Sequence, residues 1–435
     1  MKFSADRLAQ WLEAELGTGT VIGDAVSLAA RRVDGEEPAL LIFPASVEQV
    51  SAALRACCEA EATVAPWGGG TAMGIGNPPR QIDVVVGLER LNQLVEHDQA
   101  NLTATTQSGH RLAHLQEILK RQNQFLPFDP AAPARATIGG VVASNSNGPR
   151  RSYYGSVRDL VIGIKAVLAS GEEIKAGGKV VKNVAGYDMC KLFVGSLGTL
   201  GIITEATLRT APIPETAATV LATGTLPLAW QLADELSGSS LLPSAVFLLS
   251  PAASRADDRG QSGWRVAVWC EGFEKSVARH LHEAQHTATR TGLGTEILQA
   301  NDHRGFWDEV RDFPLQADRL IYRVTVPRAS VAAVIQAVHN FSTAGFRPEI
   351  LSDLLMGAVW ISLAPTDEAV KWFTKLCTGI REYRGHATLF AAPPELKQGV
   401  DIWGPAPPGF SLMREIKRQF DPKNLLNPGR FVGGI

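Results

Sequence analysis

The run Pro66-Trp67-Gly68-Gly69-Gly70-Thr71-Ala72-Met73-Gly74-Ile75-Gly76 places five glycines within eleven residues. Consecutive glycines let a backbone take positive φ and turn several N–H groups toward one point. Such a nest binds an anion, and a pyrophosphate is its natural guest. The spacing is not G-x-G-x-x-G, Pro78-Pro79 stand where a helix would begin, and no G-K-[ST] closes the loop. It is therefore neither a Rossmann turn nor a P-loop. Taken alone, the string reads equally well as a flexible surface loop.

A second set of small residues separates those readings. Ala136-Thr137-Ile138-Gly139-Gly140-Val141-Val142-Ala143-Ser144-Asn145 could carry a helix N-terminus against a ligand. Gly148-Pro149-Arg150-Arg151 and Gly155-Ser156-Val157-Arg158-Asp159 follow, then Lys182-Asn183-Val184-Ala185-Gly186-Tyr187-Asp188. Gly195, Gly198 and Gly201 then recur at three-residue spacing before the apolar Ile202-Ile203. Glycines so placed let a backbone pass close to a planar ligand. Each piece has a plain structural reading, which becomes weak when all of them occur in this order.

In order, these pieces resemble the FAD-binding domain of the vanillyl-alcohol oxidase and p-cresol methylhydroxylase family. Within it they resemble the FAD-binding subunits of bacterial glycolate oxidases, with G-H-A-T-x-F at Gly385 and L-N-P-G-R at Leu426 adding to the likeness. The resemblance is strong from about residue 40 to 214 and patchy in the C-terminal third. It implies that Pro66, Trp67, Gly68, Gly69, Gly70 and Thr71 wrap the pyrophosphate, with Gly74 nearby. Thr137, Gly139 and Gly140 would lie along pyrophosphate and flavin, with Ser144 on the same stretch. Gly148, Gly155, Ser156 and Val157 would line the ring or ribityl chain, and Gly198 and Ile203 the adenosine end. Asn427, Pro428 and Gly429 would return to the flavin side. Some family members tether the flavin to a histidine in or near the first loop. No histidine or cysteine lies between Pro66 and Arg80, so non-covalent FAD is expected.

Related 2-hydroxy-acid dehydrogenases of the family carry an H-x-H pair and an E-H-G-I-G segment that hold a divalent metal at the substrate. Here the corresponding stretches read Leu351 to Ala358 and His386-Ala387-Thr388-Leu389-Phe390, with neither motif, so no metal is expected. His282-Glu283-Ala284-Gln285-His286 spells H-E-x-x-H, but Val277, Leu281, Ala284 and Ala288 form the apolar stripe of that helix. Both histidines then face solvent and read as an exposed polar face. The catalytic residues are open, with three candidates. His386 begins a strand and is either a hydrogen-bonded structural residue or a group near the flavin. Arg150 and Arg151 are either anion-binding forks or solvated loop charge. Trp307 reads as core aromatic, with packing over a flavin as the alternative.

The resemblance implies a flavoprotein subunit of a glycolate (2-hydroxy acid) oxidase complex, passing electrons toward an iron–sulfur partner subunit beside a sister FAD-linked subunit. A self-sufficient hydroxy-acid dehydrogenase and a non-catalytic scaffold are the alternatives. The five cysteines, Cys57, Cys58, Cys190, Cys270 and Cys377, contain no C-x-x-C and suit neither a disulfide framework nor a cluster. A cluster would therefore belong to another polypeptide.

The elements that must position these residues follow from periodicity. The chain has 435 residues, 45% hydrophobic and 20% charged, with a formal net charge of −2. That length allows two or three cores, and that charge disfavours nucleic acid as the main partner. No apolar run approaches the roughly 20 residues of a membrane span. Met1 to Leu16 reads as an amphipathic helix rather than a signal peptide, so a cytoplasmic protein is expected, peripheral to the inner membrane through its partners.

The expected fold class is α+β: a p-cresol methylhydroxylase-type FAD-binding domain of two α/β subdomains, then an antiparallel-sheet cap with ferredoxin-like duplication. Helices are expected over Pro44–Glu61 and Arg111–Gln122, and strands over Ile82–Val86, Leu102–Gln107, Leu160–Leu168 and Ile202–Leu208. From Ala217 to Leu298, and again from Leu320 to Phe390, the pattern reads strand, helix, strand, strand, helix, strand. The expected divisions are an N-terminal helical segment over 1–37, the FAD-binding domain over 38–214, the cap over 215–409, and a helix with tail over 410–435.

Overall fold

The protein was analysed as a computed structural model that describes residues 4–178, 187–253, 263–316, 318–340 and 347–435. Lys182 to Gly186 of the second glycine-rich set lie outside the described residues. The chain divides into two compact units. The first comprises Met1–Asn147, Ser156–Pro212 and Lys397–Ile435, and the second Gly148–Gly155 and Ile213–Leu396.

The first unit opens with helix α1 (Ala5–Leu16), whose buried stripe is Leu8, Leu12 and Leu16. Four strands follow around helix α2 (Val47–Ala60): β1 (Val21–Ile22), β2 (Leu40–Ile42), β3 (Val64–Trp67) and β4 (Val84–Gly87). They form a sheet in the order β1-β2-β4-β3, parallel except at β1. Val84, Val85 and Val86 are fully buried, as a parallel strand covered on both faces requires. Helix α2 starts at Val47 rather than Pro44, because the Ser46 hydroxyl caps it by accepting from the Gln49 N–H at 3.3 Å.

A second sheet takes β5 (Leu94–Asp98), β6 (Thr103–Gln107), β7 (Val161–Val167), β8 (Glu173–Gly177) and β9 (Ile202–Arg209) in the order β5-β6-β9-β7-β8. Strand β6 starts at Thr103 because Leu102 sits at φ 52°, off the extended path. Helices α3 (Leu112–Lys120) and α4 (Ile138–Ser144) contribute Leu112, Leu115, Leu119, Ile138, Val141 and Val142 to the core of this sheet.

The second unit shows the duplication. Its first half runs β10 (Thr216–Gly224), α5 (Leu226–Gly238), β11 (Ala245–Leu249), β12 (Trp264–Gly272), α6 (Glu274–Arg290) and β13 (Gly294–Gln299). After α7 (Ala300–Asp312), the second half repeats it. Its elements are β14 (Leu320–Thr325), α8 (Val331–Asn340), β15 (Glu349–Asp353), β16 (Ala358–Leu363), α9 (Asp367–Gly379) and β17 (His386–Ala391). The eight strands make one antiparallel sheet, β13-β10-β12-β11-β15-β16-β14-β17. Each half has the ferredoxin-like order, and the halves join edge to edge through β11 and β15.

Side-chain alternation gives the sheet two distinct faces. Tyr322 lies beneath α9, its hydroxyl donating to the Ala369 carbonyl at 2.7 Å. Arg323, one residue on, belongs to the opposite face. In the first half that opposite face carries α7, whose Trp307 and Val310 pack with Phe247, Trp269 and Leu351. In the second half the chain runs instead from β17 into a short turn of helix, Pro394–Lys397. Helix α10 (Phe410–Phe420) then belongs to the first unit, where buried Lys417 pairs with Asp421 at 2.6 Å and donates to the Thr199 and Leu426 carbonyls.

Candidate functional site

The first unit contains a cleft lined by the loop after β3, the face of α4, the Leu197-Gly198 turn and the C-terminal tail. Glycine is required here by close backbone packing. An ideal Cβ at Gly69 would lie 1.7 Å from the Arg135 carbonyl oxygen, and one at Gly68 would lie 2.1 Å from Thr137 Oγ1. The loop is thereby pressed onto the start of α4. Gly139 is held in the same way, its N–H donating to the Ser108 carbonyl at 2.7 Å.

Two buried cations hold the back of the loop. The Arg430 guanidinium donates to the Met73 carbonyl at 2.6 Å and also to that of Ile75. Lys397 donates to the Gly74 carbonyl and pairs with Asp34 at 2.9 Å, both side chains being buried. Burial pushes Arg430 down to about 10, with Asp34 opposing the shift, and raises Asp34 against the pull of Lys397. With three successive carbonyls turned toward these cations, the amides from Gly69 to Gly74 make no backbone hydrogen bond among the described residues. That is the donor set of an anion nest.

Of the residues expected at the cofactor, Pro66, Gly68, Gly69, Gly70, Thr71, Gly139, Gly140, Ser144, Gly198, Ile203 and Asn427 line this cleft. Trp67 instead packs beneath the loop among Val33, Phe43 and Val85, with Arg31 5.2 Å from its ring centroid. Thr137 abuts Gly68, and Gly74 serves the Lys397 clamp. Gly148 and Gly155 fall in the second unit, while Ser156 caps the short helix Val157–Leu160 of the first. None of these seven lines the cleft. Asn427 adopts φ 44° and donates to the Leu197 carbonyl at 2.6 Å, drawing the tail against the Gly198 turn. Sequence reasoning missed Arg430, the last residue of L-N-P-G-R. Its signal was an arginine closing a glycine turn, which becomes a clamp only when the chain end meets the loop.

The second unit holds a separate polar patch on the face of the sheet opposite α9. Arg323, Trp360 and Leu351 are consecutive cross-strand partners, and so are His386, Thr325, Ala358 and Asp353 in the next row. Arg323 sits 5.3 Å from the Trp360 ring centroid. Burial lowers Arg323 to about 10, with the Arg151 charge adding to the shift. Asp353 is raised to about 6 by burial, although it accepts from the Leu355 and Met356 amides, each at 3.1 Å. Thus the structure brings His386 and Arg151 to one electrostatic patch with two residues that sequence reasoning did not single out. Burial and Arg323 together lower the His386 pKa.

Arg150 is engaged elsewhere, paired with buried Glu271 at 3.3 Å and lying 4.9 Å from the Trp269 ring centroid. Trp307 is core, donating to Thr219 at 2.7 Å. His282 and His286 are exposed on α6. No group of three or more His, Cys, Asp or Glu side chains among the described residues is placed to hold a metal.

A glycine cradle of unpaired amides in one unit and a duplicated antiparallel sheet in the other define a class: oxidoreductases with the p-cresol methylhydroxylase type of FAD-binding fold. A solved p-cresol methylhydroxylase superposes with a TM-score of 0.78, covering 98% of this chain and 96% of that one at 18% identity. The family model described as "FAD binding domain" matches residues 38–177, and "FAD linked oxidases, C-terminal domain" matches 405–431. The chain is 34% identical to D-2-hydroxyglutarate dehydrogenase of Stutzerimonas stutzeri, over 95% of this chain and 96% of that protein. It is 29% identical to glycolate oxidase subunit GlcD of Bacillus subtilis, over 90% and 88% of the two chains. It is also 29% identical to glycolate oxidase subunit GlcE of Escherichia coli, over 79% and 85%. The chain belongs to this FAD-linked oxidoreductase family, and its cofactor is FAD.

The cleft fits that cofactor. Besides the amides of Gly69 to Gly74, the buried Asn427 Oδ1 and Arg430 Nε of the cleft lining have no hydrogen-bond partner within the protein. Buried polar atoms left so are costly unless a ligand or water meets them.

Proposed function

We propose that this chain is the FAD-binding subunit of a multi-subunit oxidase of small 2-hydroxy acids, of which glycolate is the simplest. The observation that carries the reading is the uncommitted amide row from Gly69 to Gly74, held open by Arg430 and Lys397. In this reading those amides receive the pyrophosphate, Gly139 and Gly140 let the cofactor approach α4, and Asn427 and Gly198 close the far end. Bound FAD supplies the two-electron acceptor for oxidation of a hydroxy acid to the corresponding oxo acid. The chain's role is to bind and orient it, and to exclude water around it.

The FAD is held non-covalently, since the loop offers no histidine or cysteine to tether it. Electrons leave toward an iron–sulfur partner subunit beside a sister FAD-linked subunit, in a cytoplasmic assembly peripheral to the membrane. Similarity to both GlcD and GlcE supports a subunit role. No described helix is long and apolar enough to cross a membrane. Similarity to D-2-hydroxyglutarate dehydrogenases favours a second reading, a dehydrogenase active by itself.

One experiment separates these readings. Purified FAD-loaded chain is mixed anaerobically with glycolate or D-2-hydroxyglutarate. Bleaching of flavin absorbance by the isolated chain supports the self-sufficient enzyme. Bleaching only after addition of the co-purifying flavin and iron–sulfur proteins supports the subunit. No bleaching in either case overturns both. Flavin found in the protein pellet after acid precipitation would overturn non-covalent binding.

A further inference from the structure

The polar patch of the second unit has an unusual charge balance. Arg323 lies in the middle of β14, an otherwise apolar strand whose Leu320, Ile321, Tyr322 and Val324 are buried. Its guanidinium makes no hydrogen bond or ion pair among the described residues, and its Nε is buried without a partner. Arg151, on the short helix Arg151–Tyr154, is in the same condition, with Nε buried and unpartnered. That helix is fastened to the start of β11 by Ser152, whose hydroxyl donates to the Ser244 carbonyl at 3.0 Å. Strand β11 pairs with β15 so that Phe247 faces Asp353, and Asp353 shares a sheet face with Arg323. The charges of both arginines are felt at Asp353.

Two half-buried guanidiniums, each with a buried and unpartnered Nε, are therefore set against one buried carboxylate, and that carboxylate already accepts two backbone amides. Nearby Arg150 does not alter the balance, because Glu271 offsets it. Buried charge without a counterion is costly, and mutual repulsion of two guanidiniums adds to the cost. An arginine fork matches a carboxylate bidentately, and two such forks match one anion from two sides. The Trp360 ring behind Arg323 fixes its plane and supplies an apolar wall.

We propose that Arg323 and Arg151 form a receptor for the carboxylate of a small 2-hydroxy acid, with Trp360 holding the Arg323 plane. This rests on the reading of the protein as a hydroxy-acid oxidoreductase, and it names the groups that recognise the anion. His386 is in the next row of the same face, within reach of the Arg323 field, and is left to contact the remainder of the ligand.

The test is calorimetric titration of the FAD-loaded protein with glycolate, D-lactate and D-malate in low-chloride buffer. Glycolamide, which lacks the carboxylate charge, and sulfate, an unselective anion, serve as controls. At least one hydroxy acid is expected to bind more tightly than sulfate, with no binding of glycolamide. Arg323→Met and Arg151→Met are each expected to weaken that binding at least tenfold, and Arg323→Lys to restore part of it. Melting temperatures of the three variants report whether they fold.

Equal affinity in wild type and both methionine variants would overturn the site, as would failure of all three acids to bind wild type. Flavin bleaching, followed separately, keeps the site distinct from the function. Arginine-dependent binding without bleaching, even with the partner proteins present, refutes oxidation and leaves the receptor standing. Bleaching with an unchanged KM in Arg323→Met does the reverse.

Discussion

Arg430 in the first unit is buried and Arg323 in the second is half-buried with its Nε enclosed, and desolvation lowers each to about 10. Their hydrogen bonds separate them. Arg430 donates to the carbonyls of Met73 and Ile75 and so shapes a loop. Arg323 has no acceptor among the described residues and only an aromatic ring at its back. An arginine whose donors meet the backbone is part of the scaffold. One whose donors meet nothing is prepared for a ligand. The two units accordingly build their sites from different material: the cleft from main-chain amides around glycines, the patch from side chains on a sheet.

The largest expected effect tests the scaffold side of this contrast. Arg430→Met leaves the part-buried Met73 and Ile75 carbonyls without donors and removes a buried cation from Asp34, so a loss of about 2–4 kcal/mol in chemical denaturation is expected, with loss of bound FAD on gel filtration. Retention of both stability and colour would place Arg430 outside the scaffold.

Next comes a pH test within the second unit. His303 is buried, accepts from or donates to Thr219 through Nδ1 at 2.9 Å, and is depressed to about 4 by burial, with Arg150 and Arg304 adding to the shift. The unfolded chain takes up this proton near pH 6.5 and the folded chain only near pH 4. Stability from this group is thus present above pH 6.5 and lost as pH falls through 4, by up to about 3 kcal/mol. His303→Gln should flatten the melting-temperature slope across that window; an unchanged slope refutes the assignment.

Two further substitutions set glycine packing against the unpartnered arginine. Gly69→Ala forces a Cβ into the Arg135 carbonyl, and overpacking of about 1–3 kcal/mol should weaken FAD roughly 10- to 100-fold in a fluorescence titration. Arg323→Met, by contrast, removes an uncompensated charge, so melting should be unchanged or raised by the equivalent of about 1 kcal/mol. A fall as large as that of Arg430→Met would erase the distinction between the two arginines. The smallest effect is expected at Gly74. A Cβ there meets nothing, so Gly74→Ala should alter stability and FAD affinity by less than about 0.5 kcal/mol.

Sequence periodicity carried much of the architecture. The repeated strand-helix-strand-strand-helix-strand order needs only alternation and a 3.6-residue stripe, which are local properties. Its boundaries shifted where single residues intervene, as at the Ser46 cap and at Leu102 with its positive φ. The glycine-rich strings were also legible, because a run such as Gly68-Gly69-Gly70 is uncommon enough to demand a reason.

What they could not disclose is why each glycine is needed. Gly68 and Gly69 clear the Thr137 side chain and the Arg135 backbone, which lie more than sixty residues away in the chain. Sequence alone thus determined the fold class, the cofactor family and the glycine-rich loop proposed to receive the pyrophosphate. Tertiary structure alone decided which charges are satisfied. Pairing Arg150 with Glu271, clamping carbonyls with Arg430 and leaving Arg323 and Arg151 without acceptors all depend on distances across the fold, and electrostatic energy is set by those distances and by burial.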